Sequence, residues 1–241
     1  MRPRTVPSLL RVRSGSPYTR VAVVRLGAAA VVLWGLLAAS GLLLVRVFTP
    51  SFATREDVQV EGWLSRHRTP TLNGLTHVGT ALSDTNTCIA VTAVAFVVLR
   101  LWLGRWRESF TLVAAIGGEL FVFLLVTATV HRPRPAVPRL DTAPPTSSFP
   151  SGHVGAAVAL YGCLAVIVLR DLSRRWLAVT LAVVFCAAPP VVGYSRMSRG
   201  MHHPTDVAAG MLGGGVWLVW VVTTLMARRD DPAGASRRDA A

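Results

Sequence analysis

The chain has 241 residues, of which 52% are hydrophobic and only 15% are charged. This composition excludes an ordinary soluble enzyme and indicates an integral membrane protein of one domain. The formal net charge is +13, and all 25 basic residues are arginine. These arginines stand in short clusters between apolar runs, which is typical of signals for membrane orientation and excludes nucleic acid as their partner.

Six apolar runs reach or approach the length of roughly 20 residues that a spanning helix needs. In chain order they cover residues 21–48, 86–104, 109–130, 153–170, 176–194 and 205–227. The first run is too long for the apolar part of a cleaved signal peptide, so we expect it to be retained. We therefore predict an all-α fold, a six-transmembrane helical bundle over residues 21–227. Residues 1–20 form a basic segment before it, and the polar residues 228–241 form a tail that we expect to be disordered.

The arginines also predict how the bundle lies in the membrane. They are more numerous at both termini and in the links after the second and fourth runs than in the other loops. The positive-inside rule then places both termini in the cytoplasm, which agrees with an even number of spans. We expect a multi-pass protein of the cell membrane whose loops 49–85, 131–152 and 195–204 face the extracytoplasmic side. Apolar residues at spacings of three and four in loop 49–85 predict short helices lying on the membrane surface.

The second outer loop ends in a pattern that suits an anion, because residues 150–153 read PSGH directly before an apolar run. Backbone N–H groups at the start of a helix bind anions, and the helix dipole strengthens that binding. Gly152 lets a ligand approach the backbone closely, and His153 would lie beside it. Arg134 and Arg196, from two outer loops, add guanidinium groups, which bind phosphate in bidentate fashion.

The third outer loop leads into the sixth run, where residues 195–210 read SRMSRGMHHPTDVAAG. Pro204 suits the first position of a helix. Asp206 then lies in the first turn, where it can reach back to His202. A carboxylate on one imidazole nitrogen fixes the tautomer and makes the other nitrogen a better nucleophile. His202 and His153 therefore suit two tasks, attack on phosphorus and protonation of the leaving alkoxide.

Simpler interpretations exist for single features of this pattern. Ser151 and Gly152 also favour helix starts without any ligand. The spacing of His202 and Asp206 would suit two zinc ligands, but the sequence places no third ligand near them. We therefore expect no metal and no cofactor.

Other polar residues near the outer loops have structural explanations. Glu119 stands in the middle of the third run, where a carboxyl group is costly, and we expect it to be protonated and hydrogen-bonded inside the bundle. Asp84 is placed like a helix cap. Arg139 and Asp141 are expected to pair in a solvated loop, and His203 is expected to be a structural neighbour of His202.

Three motifs together carry a family resemblance. They are Arg134-Pro135, then Pro150-Ser151-Gly152-His153, then Ser195-Arg196 followed by His202 and Asp206. In these motifs and their order the chain resembles the type 2 phosphatidic acid phosphatase (PAP2) superfamily, which also includes the vanadium-dependent haloperoxidases. The resemblance covers the third to sixth predicted helices, about half of the chain, and implies the phosphatase core of that superfamily.

The resemblance implies a metal-independent phosphatase that acts through a phosphohistidine. By motif position, His202 would be the nucleophile, Asp206 its orienting partner and His153 the general acid. The residues that would bind the phosphate are Arg134, Ser151, Gly152 and Arg196. Superfamily members with six spans act on lipid phosphates or diphosphates, usually at the outer face, which agrees with the orientation predicted from the arginines.

The expected activity is therefore hydrolysis of a lipid phosphate or diphosphate monoester, in phospholipid or isoprenoid metabolism, with membrane lipids as surroundings. Two alternatives stay open. A lipid phosphotransferase would let an alcohol attack the phosphohistidine in place of water. A catalytically weakened protein would only bind the lipid phosphate.

One position departs from the family pattern. The first motif of the family begins with a lysine seven residues before its arginine, and that position is Thr127 in this chain, which contains no lysine. Thr127 is expected to point toward the same pocket and to donate a neutral hydrogen bond there. Arg132 is nearby and is a candidate to replace the lost cation. Both residues join the predicted phosphate-binding set.

Overall fold

A computed structural model of the protein describes residues 18–47 and 52–227. Within these ranges it contains eight α-helices and no strand. The helices are α1 (Arg20–Arg46), α2 (Phe52–Arg66), α3 (Pro70–Ala81), α4 (Thr85–Leu103), α5 (Arg107–Thr129), α6 (Gly152–Asp171), α7 (Arg175–Ser198) and α8 (Pro204–Leu225). The predictions for most of the basic N-terminal segment and for the tail 228–241 fall outside the described residues.

Six of these helices, α1 and α4 to α8, are long and apolar enough to cross a membrane. They carry large hydrophobic side chains on the outside of the bundle. Examples are Val24, Leu101 and Leu212, which are 70%, 78% and 70% exposed. Aliphatic surface on this scale is unfavourable in water and suits contact with lipid chains. The prediction of an all-α bundle with six transmembrane helices is confirmed.

Helix α6 lies at the centre of the bundle, where it packs against α4, α5, α7 and α8. Its side chains Leu160, Cys163 and Ile167 are completely buried. Helix α1 packs against α5 and α8. Because α6 begins with the PSGH segment, its central position places that segment at one end of the bundle core, among the ends of the neighbouring helices.

Small residues bring α6 and α8 close together. A Cβ atom on Gly214 would lie 2.9 Å from the carbonyl oxygen of Gly155, and one on Gly210 would lie 2.6 Å from the carbonyl oxygen of Ser151. Larger residues would push the two helices apart. The backbone N–H of Ser151 also donates a hydrogen bond to the carbonyl oxygen of Asp206, at 3.0 Å. The PSGH segment is therefore fixed directly against the first turn of α8.

The predicted short helices of loop 49–85 are present as α2 and α3, and both pack on the bundle. Helix α3 packs against α7, and α2 packs against α7 and α8. Asp57 and Glu61, one turn apart on α2, are only 1% and 3% exposed. The apolar spacing predicted that helices form here, but these acidic side chains decide which face of α2 is buried.

Helix α7 continues four residues beyond the fifth apolar run. It passes through Pro189 and Pro190 and ends at Ser198. Ser195 and Arg196 therefore belong to the last turns of a helix and not to the predicted outer loop 195–204. The apolar pattern stops earlier because these last turns bury polar side chains against the site.

Both ends of the described chain lie at the same end of the bundle. The hydroxyl group of Tyr18 donates to the carbonyl oxygen of Phe110 at 2.7 Å, near the start of α5. Arg170, near the end of α6, donates to the carbonyl oxygen of Met226 at 2.9 Å. The PSGH segment lies at the opposite end of α6. The assignment of these two ends to the cytoplasm and the outside rests on the arginine distribution and stays a prediction.

The indole of Trp217 provides a test of how tightly α5 and α8 pack. Its Nε1 donates to the carbonyl oxygen of Ala115 at 3.0 Å, and a Cβ atom on Gly118 would lie 1.9 Å from its ring. Gly118→Ala should therefore destabilise the protein by about 1–3 kcal/mol through overpacking. A thermal unfolding measurement in detergent checks this. Gly117→Ala is the matched control, because a Cβ atom there meets nothing within 4 Å; equal unfolding temperatures for the two variants would contradict the packing.

Candidate active site

A cavity of about 720 Å³ lies between α4, α5 and the start of α6. Its polar end is lined by Arg134, Gly152, His153, Arg196 and His202. These residues come from the loop after α5, the start of α6, the end of α7 and the loop before α8. The fold thus brings the three sequence motifs together in one place. The remainder of the cavity is an apolar groove between α4 and α5.

His202 is 3% exposed, and its ring is held by a backbone group. Its Nδ1 lies 2.7 Å from the carbonyl oxygen of Ser148. Because a carbonyl oxygen can only accept, Nδ1 carries the proton and Nε2 keeps its lone pair. Burial lowers the pKa of His202 below its usual value, and the nearby Arg196 and Arg134 act in the same direction. The ring is therefore neutral at neutral pH and has the tautomer of a nucleophile.

Asp206 lies in the first turn of α8, as predicted, but its oxygens bind other groups. Its Oδ2 is 3.8 Å from Nδ1 of His202, which is too far for a hydrogen bond. Oδ2 instead accepts from the backbone N–H of His203 at 2.9 Å, and Oδ1 accepts from Arg132 at 2.5 Å. The tautomer-fixing contact expected from Asp206 is made by Ser148, and Asp206 supplies a nearby negative charge that opposes the effect of burial on the pKa of His202.

Arg132 connects α2 to α8, and its guanidinium group is already paired with carboxylates of both helices. Its Nη2 donates to Asp57 at 2.7 Å, and its Nη1 donates to Thr205 at 2.7 Å and to Asp206. Asp57 also accepts from the backbone N–H of Thr205 at 3.0 Å. Two carboxylates therefore neutralise the guanidinium group. These contacts favour a role for Arg132 in holding α2 on the site, and its role as a substitute for the family lysine stays a prediction.

Thr127 does not face the cavity. It is buried in α5, its hydroxyl group donates to the carbonyl oxygen of Leu124 at 3.1 Å, and it is absent from the cavity lining. The expectation that it points toward the pocket assumed two helical turns between positions 127 and 134. Helix α5 ends at Thr129, so residues 130–134 are not helical and the two positions do not share a helix face.

Arg134 and Arg196 both reach the cavity. Nη1 of Arg134 donates to the carbonyl oxygen of Met201 at 2.7 Å, which fixes the loop that carries His202. Nη1 of Arg196 donates to Thr80 of α3 at 3.0 Å. Nε of Arg196 is buried and has no hydrogen-bond partner among the described residues. A buried donor without a partner is costly, so this group has capacity for an anion in the cavity.

The start of α6 is not capped by its own side chain. Ser151 is the N-cap residue, but its hydroxyl group accepts no hydrogen bond from the first turn and has no other partner in the described parts of the chain. The first N–H groups of a helix without a cap are available to an anion. Gly152 is required for a second reason, because a Cβ atom there would lie 2.7 Å from the ring of Phe123.

Comparison with known proteins agrees with this geometry. The sequence model of the PAP2 superfamily matches residues 108–230, half of the chain. The chain belongs to the PAP2 superfamily. A solved structure described as the first transmembrane PAP2 type phosphatidylglycerolphosphate phosphatase, from Bacillus subtilis, superimposes with a TM-score of 0.72. The alignment has 19% identity and covers 85% of this chain and 98% of that chain. At this identity the likeness shows a shared fold.

In this PAP2 protein, His153 has an acidic partner that the sequence did not reveal. Asp84 is the N-cap residue of α4, as predicted, but its side chain makes no capping hydrogen bond. Its Oδ1 lies 3.1 Å from Nε2 of His153. The capping interpretation explained the position of Asp84 without predicting this contact, because the two residues are far apart in the chain.

The arginines around the PAP2 site have acidic partners from distant segments. Asp141 pairs with Arg199 at 2.5 Å and with Arg196 at 3.4 Å, and not with Arg139 as expected. The Arg199 guanidinium group helps to hold the pKa of Asp141 below its usual value, against the effect of burial. Asp141 and Arg199 are 58 residues apart in the chain, so their pairing follows from the fold and not from sequence spacing.

His203 is a structural neighbour of His202, as expected. Its Nδ1 pairs with Glu61 of α2, and its Nε2 lies 3.0 Å from the carbonyl oxygen of Pro133. Burial alone would lower the pKa of His203, but the hydrogen bond to Glu61 and the charge of Asp206 outweigh burial and raise the pKa. The carbonyl and carboxylate oxygens at its two nitrogens favour the protonated ring. In the sequence, the only indication of this contact is that Asp57 and Glu61 stand four residues apart, on one face of α2.

The role of Arg132 can be tested by stability. Arg132→Ala would leave Asp57 and Asp206 buried without their partner, which should cost about 3–5 kcal/mol. Thermal unfolding in detergent measures the loss. Arg139→Ala is the control, because Arg139 lies on the same loop and is exposed. If Arg132→Ala unfolds like the control but binds phosphate or vanadate much more weakly, Arg132 is the substitute cation after all.

Proposed function

We propose that this protein is an integral membrane phosphatase that hydrolyses a lipid phosphate or diphosphate monoester at the extracytoplasmic face through a phosphohistidine intermediate. One observation carries the proposal: two histidines, two arginines and the start of α6 line the polar end of a cavity whose remainder is an apolar groove. Membership of the PAP2 superfamily supports phosphatase activity on lipids at the level of the family.

The phosphoryl group would be bound by Arg134, Arg196 and the first N–H groups of α6. This charge stabilisation is usually the largest contribution to catalysis of phosphoryl transfer. The buried Nε of Arg196, which lacks a partner, and the uncapped start of α6 would both gain one from the phosphate oxygens. An anion in the site would therefore complete hydrogen bonds that these donors lack in the described residues.

The reaction would proceed in two steps. Nε2 of His202 attacks phosphorus with its lone pair, and the bond from phosphorus to the lipid oxygen breaks. His153 gives its proton to that oxygen, so the lipid leaves as an alcohol. His153, now neutral, then takes a proton from water. The resulting hydroxide attacks phosphorus, the bond to His202 breaks, and inorganic phosphate leaves.

The surroundings of the two histidines suit these different tasks. Ser148 holds the proton of His202 on Nδ1, so Nε2 is free to attack. Oδ1 of Asp84, 3.1 Å from Nε2 of His153, would hold that ring in place for proton transfer to the leaving oxygen. The groove beside them would hold the hydrocarbon chain of the substrate.

The roles of the two histidines can be distinguished by comparing substrates with different leaving groups. His202→Ala should abolish phosphate release from lipid and aryl phosphates alike, because the covalent intermediate cannot form. His153→Ala should lose about 10²–10⁴-fold on alkyl phosphates and much less on an activated aryl phosphate, whose leaving group needs no proton. Asp84→Asn should show the same bias more weakly. His67→Ala, at an exposed position directly after α2, is the control; near-normal lipid turnover by His202→Ala would defeat the mechanism.

Phosphate binding by arginines and amides predicts that no divalent ion is needed. Turnover of purified protein should be unchanged by a strong chelator. Vanadate should inhibit, because it can take the five-coordinate geometry of the transition state with His202 as a ligand, and Arg196→Ala should weaken that inhibition. Activity that disappears with chelator and returns with magnesium is the result that would reject metal independence.

A further inference from the structure

Two polar side chains lie among the apolar residues that line the groove beside the site. Its walls on α4 and α5 are formed mainly by Ile89, Ala93, Phe96, Val97, Val113, Ile116 and Leu120. Glu119 of α5 and Thr92 of α4 lie within the same lining. A groove for a hydrocarbon chain alone would need neither, because a carboxyl group inside a spanning helix is costly and marks a functional site by default.

The depth of Glu119 relative to the phosphate site can be read from α6. A Cβ atom on Gly155 would lie 2.0 Å from Oε1 of Glu119, so the carboxyl group rests against this glycine. Gly155 follows Gly152 by three residues, which corresponds to about 4.5 Å along the helix. The carboxyl group therefore lies almost one helical turn deeper in the bundle than the N–H groups proposed to bind phosphate.

The fold does not use the hydrogen-bonding capacity of these two side chains. Within the described residues, Glu119 has no hydrogen bond and no ion pair. The hydroxyl group of Thr92 is buried and also lacks a partner there. An unpaired carboxyl group in such apolar surroundings is neutral, because an ionised one would lose its hydration without compensation. As a neutral acid, Glu119 has an O–H donor at the wall of the groove next to the phosphate site, and it also lines a small cavity toward α1 and α8.

We propose that Glu119 is a specificity residue: it donates a hydrogen bond to an ester carbonyl of a glycerolipid phosphate and so favours such lipids over polyprenyl phosphates. This inference rests on the proposed phosphatase function. In such a lipid the ester groups are separated from the phosphate oxygen only by glycerol carbons, so they lie at the depth of Glu119. A polyprenyl phosphate has only hydrocarbon at that depth and would leave the carboxyl group unpaired.

The experiment compares three lipid phosphates in the same detergent micelles: a diacylglycerol phosphate, its diether analogue without carbonyl groups, and a polyprenyl phosphate. Wild-type protein should have a kcat/KM about five- to tenfold higher for the diester than for the diether, the effect of one buried hydrogen bond. Glu119→Leu should lose this difference and should gain activity on the polyprenyl phosphate. Glu119→Gln keeps an N–H donor and should retain most of the preference for the diester.

A water-soluble aryl phosphate, which leaves the groove empty, reports whether the site of each variant is intact. The wild-type comparison of diester and diether needs no variant, so it holds even if Glu119→Leu does not fold. Equal wild-type activity on diester and diether, or an unchanged preference in Glu119→Leu with normal aryl phosphate turnover, overturns the inference and leaves the phosphatase standing. Absence of phosphate release from all three lipids by folded protein would instead defeat the proposed function.

Discussion

One buried ion pair network, Arg132 with Asp57 and Asp206, joins three segments of the chain around the site. It connects α2, the loop of the first motif and the first turn of α8. A buried charge without its partner costs several kcal/mol, so these parts are stable only together. Asp206 also fixes the backbone of His203, next to His202. The position of the proposed nucleophile therefore depends on acidic residues of a helix outside the family motifs.

The arginines near the site form two groups, those that have a carboxylate partner at close distance and those that do not. Arg132 and Arg199 each have close carboxylate partners, at 2.7 Å or less. Arg134 binds mainly a carbonyl oxygen, and Arg196 has a carboxylate only at 3.4 Å. Neutralised arginines hold loops, whereas arginines with spare donors at a cavity are suited to a dianion. This difference separates the arginines that hold loops from the two that we propose to bind phosphate, which sequence position alone does not.

The sequence predicted the features that depend on local pattern. Apolar run length gave the six spans, and helix-start chemistry gave the positions of Pro204 and Asp206 in α8. It did not predict that Ser148 holds His202, since any residue can present a carbonyl oxygen and only the folded loop decides which one does. Thr127 was misplaced because the spacing argument needed α5 to continue beyond residue 129, where it ends.

The groove explains how a membrane protein can bring a lipid phosphate to such a site at low cost. Its lining on α4 extends from Thr85 to Val97, about 18 Å along the helix, which is more than half of the roughly 30 Å hydrocarbon layer. A substrate chain lying there stays at the depth it has in the bilayer, so little apolar surface has to pass through water. Only the phosphate head group has to move, from the membrane surface into the polar end of the cavity. On the proposed function, selection among lipids would then fall to the atoms that meet the protein just below the phosphate, where Glu119 lines the groove.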